Sequence, residues 1–295
     1  MDPVLVAFWF GALSAASLPL GAAVGIWLKP GERMTAAVMA FGAGALLCAL
    51  TLELVAPALA LFPGDQAEGF QWLAIGATIG CVAFVGLDHL LAQMGGYLRK
   101  HSTVSSRLKH LRKHQEHPRH EKLPEDILYA EARHATTVRA MHVATKEKSG
   151  SSNVALAIWL GIALDGIPES LIIGSTMEGT SISMALIGGL FLANIPESMS
   201  SAAVMKKQGS PSWLILVMWL SLMIMTAVGA AFGNLFIADA PHHLNAMLEG
   251  LAAGAMLAMI AQTMLPEAYE HGGWLTGLMT VAGFLAAIWM GTLGT

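Results

Sequence analysis

Charge is scarce in this sequence. Asp, Glu, Lys and Arg make up 12% of its 295 residues, about half of the roughly 25% usual in soluble globular proteins. That deficit excludes a water-soluble enzyme and a disordered chain. Basic residues are scarcer still over most of the length: outside residues 95–150 they are Lys29, Arg33, Lys206 and Lys207 alone. No basic surface exists to read nucleic acid, and none is expected as a partner. With Cys48 and Cys81 as the only cysteines, a disulfide scaffold and a Cys-rich zinc fold are excluded too. What fills the chain is apolar. A hydrophobic share of 55% and a mean hydropathy of +0.60 describe an integral membrane protein with the lipid bilayer as its surroundings.

The few charges are unevenly placed. Residues 95–150 hold 12 of the 16 Lys and Arg and 6 of the 20 Asp and Glu, and they hold His101, His110, His114, His117, His120, His134 and His142. The chain thus divides into an apolar block at 1–94, a basic, histidine-rich insert at 95–152 and a second apolar block at 153–295, which together form one transport domain. Continuous apolar runs of the roughly 20 residues that cross a bilayer as helix lie at about 4–28, 34–61, 71–94, 154–177, 182–205, 213–238, 244–269 and 274–293. Strands are excluded because they need short alternating segments. The expected fold is therefore an all-α membrane protein of eight transmembrane helices. The first run lacks a basic leader and a clear cleavage site, so it reads as a retained helix.

Basic residues set the orientation. With the N-terminus outside, every Lys and Arg falls in a cytoplasmic segment, at 29–33, 95–150 or 206–211. The outer connections carry Asp65, Glu68, Glu178, Asp239, His242 and His243 instead. Both termini are then expected outside. An internal similarity also stands out between Gly44–Pro57 in the second run and Gly254–Pro266 in the seventh. The two helices run in opposite directions, so runs 1–3 and 6–8 read as an inverted repeat around runs 4 and 5. Such repeats place binding sites near the bilayer midplane.

The chemistry concentrates in runs 4 and 5. Run 4 contains Asp165-Gly166-Ile167-Pro168-Glu169-Ser170, and run 5 contains Asn194-Ile195-Pro196-Glu197-Ser198. A carboxylate at the bilayer centre costs about 2.5–3.5 kcal/mol even on lenient scales, so two in the same Pro-Glu-Ser setting indicate a shared task. Asp165 and Glu169 share a helix face, as do Asn194 and Glu197. Each proline also leaves a carbonyl four residues earlier, at Leu164 and Leu192, without its helical donor. Such convergent oxygens suit a divalent cation, whose charge offsets carboxylate repulsion.

At these motifs the sequence resembles the ZIP (Zrt/Irt-like) family of divalent-metal transporters, as a divergent bacterial-type member. The two Pro-Glu motifs and Leu265-Pro266-Glu267 in the seventh run carry the likeness, together with the eight runs and the histidine-rich insert. The resemblance implies transport of zinc, iron or manganese as substrate toward the cytoplasm, with no organic cofactor and no enzymatic activity. It further implies a metal site shared by helices 4, 5, 2 and 7, a homodimer, an elevator-like movement and residence in a bacterial inner membrane. Glu169 and Glu197 match family ligands. Asp165 stands at the family's helix-4 histidine, Gly166 at its asparagine and Asn194 at a helix-5 aspartate; Gln262 and Thr263 stand where helix 7 often has His-Glu. Glu53 lies where a smaller polar residue is usual.

The expected site is therefore Asp165, Glu169, Glu197, Asn194, Glu53 and Gln262, all oxygen donors. These altered positions favour one metal rather than two. Hard oxygen donors favour Mn²⁺ or Fe²⁺, while family likeness favours Zn²⁺. Secondary candidates for release or admission of the ion are Asp88, His89, Glu267, His271 and Glu249. Rival readings are an exporter or metal sensor on the same fold, and an intramembrane enzyme, for which no nucleophile or nucleotide loop is visible.

Overall fold

The structure, a computed structural model, describes residues 2–28, 30–93, 151–177, 182–207, 209–237 and 240–293. The insert's histidines and Glu178 and Asp239 lie outside the described residues. Among the described residues there is no strand, and the long helices are α1 (Pro3–Trp27), α2 (Glu32–Ala60), α3 (Gln66–Gln93), α4 (Ser151–Ser175), α5 (Met184–Lys207), α6 (Ser212–Phe236), α7 (His242–Gly272) and α8 (Leu275–Leu293). Seven of them have stretches long and apolar enough to cross a membrane. The remaining helix is α5, whose 24 residues include Asn194, Glu197, Lys206 and Lys207. Its polar residues dilute its hydropathy, and those are the residues that make it informative.

Local chemistry fixes the helix ends and breaks. Asp2 caps α1 by accepting a hydrogen bond from the Val4 amide at 3.0 Å, with Pro3 in the first turn. A turn at Ala16 divides α1 into Pro3–Ala15 and Ser17–Trp27, because Pro19 has no N–H to continue the ladder. Gly209 closes α5 at φ 91°, and Gly273 turns α7 into α8 at φ 56°, conformations that side chains with a Cβ avoid.

Two helices carry a wider turn inside. In α2 the segment Leu50–Val55 is π-helical, and in α7 the segment Ile260–Met264 is π-helical. Each is followed by a proline, Pro57 or Pro266, that cannot donate to the carbonyl four residues back, at Glu53 or Gln262. The freed carbonyls let the ladder step out by one residue: Ala56 donates to Thr51, and Leu265 donates to Ile260.

The helices sort into two sets. α1 packs on α5 and α6, and α6 packs on α4; the apolar cluster of these four contains Leu18, Ile158, Ile162, Ile215, Trp219 and Leu222. α2 packs on α8, and α3 packs on α7. Between the sets, α2 meets α5 and α7 meets α4, around Leu46, Leu54, Ile172, Ile173, Leu190, Met256 and Ile260. Glycines make these approaches close. A Cβ on Gly25 would strike the Met199 carbonyl on α5, and one on Gly233 would strike the Leu171 carbonyl on α4. Small residues that let backbones approach are how membrane helices associate without a hydrophobic driving force.

The outer surface of the bundle is apolar. Leu13, Leu20, Val82, Ile224, Phe232, Leu285 and Trp289 are all exposed, which in water would form a large aggregation-prone surface and in a bilayer faces lipid. Trp27, Trp213 and Trp274 are also exposed. They stand at the same end of the bundle as Arg33, Lys206 and Lys207, where an interfacial aromatic belt is expected.

Candidate metal centre

The motif helices α4 and α5 deliver their acids to one place. Glu169 is 4% exposed, Asn194 is 6% exposed and Glu197 is half-buried. All three line a cavity of about 10 Å³ together with Leu18 of α1, Ile162 and Gly166 of α4, and Leu222, Met225 and Thr226 of α6. That volume holds the centre of about one water molecule, so the space is the size of a single dehydrated ion. The Asn194 side chain and the Glu197 carboxylate are both close enough to act on the Glu169 carboxylate.

The Pro-Glu-Ser motifs explain how this is held. Pro168 and Pro196 lie within their helices, and each leaves one carbonyl without a ladder donor. The serines turn their hydroxyls back onto the backbone. Ser170 donates to the Ile167 carbonyl at 2.8 Å, and Ser198 donates to those of Asn194 at 2.8 Å and Ile195 at 3.1 Å. Both serines are buried, and such back-bonding commonly bends a helix. Each also marks a tight crossing, since a Cβ on Gly21 of α1 would strike Ser198 and one on Gly229 of α6 would strike Ser170. The serines therefore hold backbone and neighbours, while the adjacent glutamates face the cavity.

The other expected ligands are Asp165, Glu53 and Gln262. Asp165 lies on α4 one turn before Glu169, with its side chain outside the described ones. Glu53 and Gln262 sit on the two π turns, Glu53 half-buried and Gln262 exposed, and neither lines this cavity. The reason is architectural. The cavity opens between α4, α5 and the α1–α6 pair, whereas α2 and α7 pack on the other side of α4 and α5. Among the described residues, no group of three or more His, Cys, Asp or Glu side chains is gathered closely enough to hold an ion.

Secondary candidates separate likewise. Glu267 and His271 line a second cavity, of about 460 Å³, with Glu32, Thr35, Ser200, Lys206 and Lys207 at the basic end of the bundle. Ser200 donates to Glu267 Oε1 at 3.4 Å, and His271 Nδ1 lies 3.1 Å from the Glu267 carbonyl. Asp88 and His89 lie toward the end of α3 and line neither cavity. Glu249 is buried on α7 toward the opposite end. Thr226 is the polar lining residue that sequence reading missed, beside the apolar Leu18, Ile162, Leu222 and Met225. It is 4% exposed and its hydroxyl faces Gly166, 3.6 Å from where a Cβ would stand. No signal in the sequence set it apart from the other polar residues of α6, Ser212, Ser221 and Asn234.

Helices of membrane-spanning length enclosing a carboxylate-lined cavity define a multi-pass membrane protein with an acidic site within its bundle. The family model of the ZIP zinc transporters matches residues 30–291, and the chain belongs to that family. Its members carry divalent metal cations and are transporters rather than enzymes. No curated protein matches the chain.

Proposed function

We propose that this protein carries a divalent transition-metal cation, zinc or manganese and iron, toward the cytoplasm through the cavity between α4 and α5. The observation that carries this reading is the meeting of Glu169, Asn194 and Glu197, from two motif helices, at a space the size of one ion. Two carboxylates in an apolar bundle repel each other and lose hydration. A divalent cation cancels the repulsion and replaces the lost water. Asp165, one turn from Glu169, is assigned as a further ligand, and one ion per protomer is the expected load. Glu53 and Gln262, on π turns of the neighbouring helix set, are assigned to a different stage of the ion's passage.

The basic end of the bundle is read as cytoplasmic, since Lys206, Lys207 and Arg33 gather there. The 460 Å³ cavity then serves as the vestibule through which the ion leaves, with Glu267 and His271 on its wall. Supporting an inverted repeat, α2 packs on α8 as α7 packs on α3, and both α2 and α7 carry a π turn before a proline. An elevator-like slide of α1, α4, α5 and α6 against α2, α3, α7 and α8 fits this division. A homodimer in a bacterial inner membrane completes the proposal.

The deciding experiment is uptake of radioactive Zn²⁺ and Mn²⁺ into proteoliposomes. Saturable uptake that is lost in Glu169→Gln/Glu197→Gln supports the proposal. Uptake unchanged in that variant, or ion movement only out of the vesicle lumen, overturns it.

A further inference from the structure

Of the intramembrane acids, Glu249 has no part in the cavity between α4 and α5. It is 8% exposed, and its Oε2 is a buried atom with no hydrogen-bond partner. Asn245, one turn earlier on α7, has the same defect: its Nδ2 donates to the Ala240 carbonyl at 3.2 Å, while its buried Oδ1 has no partner. Residues four apart on a helix are side-by-side neighbours. The two residues therefore share one face of α7, and each carries a buried acceptor oxygen without a donor. Acceptors without donors are satisfied by a cation.

Their position is equally specific. Glu249 shares a face of α7 with Ala253 and Met256, which pack into the cluster holding Leu54 of the α2 π turn and Ile172 and Ile173 of α4. Ile173 lies one turn from Glu169 on α4. Ala246, one turn the other way, packs with Ala58 and Leu73, so Glu249 stands between that cluster and the one joining α7 to α4, toward the end of α7 away from the basic end. At the start of α7, His242 packs edge-to-face on Phe62 and His243 packs on Trp72, with ring centroids 6.5 and 5.5 Å apart. These contacts tie the start of α7 to the neighbouring α2–α3 region.

We propose that Glu249 and Asn245 form an outer cation site, an oxygen pair on α7 that takes a partly hydrated divalent ion before it reaches Glu169 and Glu197. The pair supplies one carboxylate and one carbonyl-type oxygen, and retained waters complete the shell, as hard divalent ions allow. The order of the two sites rests on the transport reading above. The existence of the outer site does not.

The test uses full-length protein in lipid nanodiscs and Mn²⁺ as probe, with bound ion counted by electron paramagnetic resonance. Glu169→Gln/Glu197→Gln is expected to retain an Mn²⁺ population, and adding Glu249→Gln to weaken it at least tenfold. The histidine-rich segment contributes equally to every arm. If the double variant binds no Mn²⁺, or binds it with an affinity that Glu249→Gln leaves unchanged, the outer site is refuted. Asn245→Asp in the double variant is the second measurement, should Glu249→Gln fold poorly. Affinity at least threefold tighter supports the site, and affinity equal or weaker overturns it. Absent uptake by the unmodified protein would sink the transport reading while leaving a Glu249-dependent Mn²⁺ population standing, so the two failures are told apart.

Discussion

At the scale of single residues, the site is a matter of oxygen atoms brought together from two motif helices. Glu169 and Glu197 face the cavity directly, and Asn194 reaches Glu169. Supporting partners of a metal ligand cost about 10–100-fold in affinity when removed, and direct ligands cost at least as much. Glu169→Gln and Glu197→Gln are each expected to weaken Zn²⁺ binding by on the order of 100-fold, and Asn194→Ala by about tenfold, measured by calorimetric titration. Glu53→Gln and Gln262→Ala, away from the cavity, should lower uptake while changing equilibrium affinity by less than about threefold. These acids were legible because a membrane interior makes each one expensive, and two identical Pro-Glu-Ser settings do not arise cheaply. Thr226, Leu18 and Met225 were not legible. A threonine or an apolar residue on a membrane helix has many ordinary uses, and only the folded bundle shows which one faces the carboxylates.

At the scale of elements, the helices are held by contacts that leave no room for a methyl group. Gly25 lies against the Met199 backbone, while Gly277 of α8 has nothing within 4 Å of its Cβ position. Gly25→Val is expected to destabilise the bundle by about 1–3 kcal/mol, read as a lower midpoint of thermal unfolding by circular dichroism in detergent. Gly277→Ala should leave the midpoint unchanged or raise it slightly, since alanine is better than glycine in a helix by roughly 0.5–1 kcal/mol. Among the described residues seven helices are apolar enough to cross a membrane, and α5, read from the sequence as an eighth apolar run, is the one whose polar motif lowers its hydropathy. The π turns in α2 and α7 were hidden for a different reason. Pro57 and Pro266 announce an interrupted ladder, but whether it kinks, breaks or widens depends on what packs beside it.

At the scale of the whole molecule, the division into two apolar blocks around a polar insert was visible from charge alone, as was the gathering of basic residues at one end. The packing of α1 and α6 with α4 and α5, apart from α2, α3, α7 and α8, was not. The helices are apolar around most of their faces, so periodicity does not say which face meets which neighbour. Removal of residues 95–150, joined by a flexible linker, is expected to leave Zn²⁺ affinity at the central site within about twofold. Regulation of uptake by metal should change, and calorimetry and uptake on the same preparation check both. The smallness of the central cavity has a further, kinetic consequence. A space for one water-sized centre is too small for an ion wearing its hydration shell, so on the proposed route each ion would be stripped before it enters. Mg²⁺, which dehydrates reluctantly, would then be refused by rate rather than by affinity. On the proposed elevator-like slide, traffic would proceed no faster than the helices rearrange, on the order of a thousand events per second for millisecond motions. That flux is far too small to register as an electrical current through a single molecule.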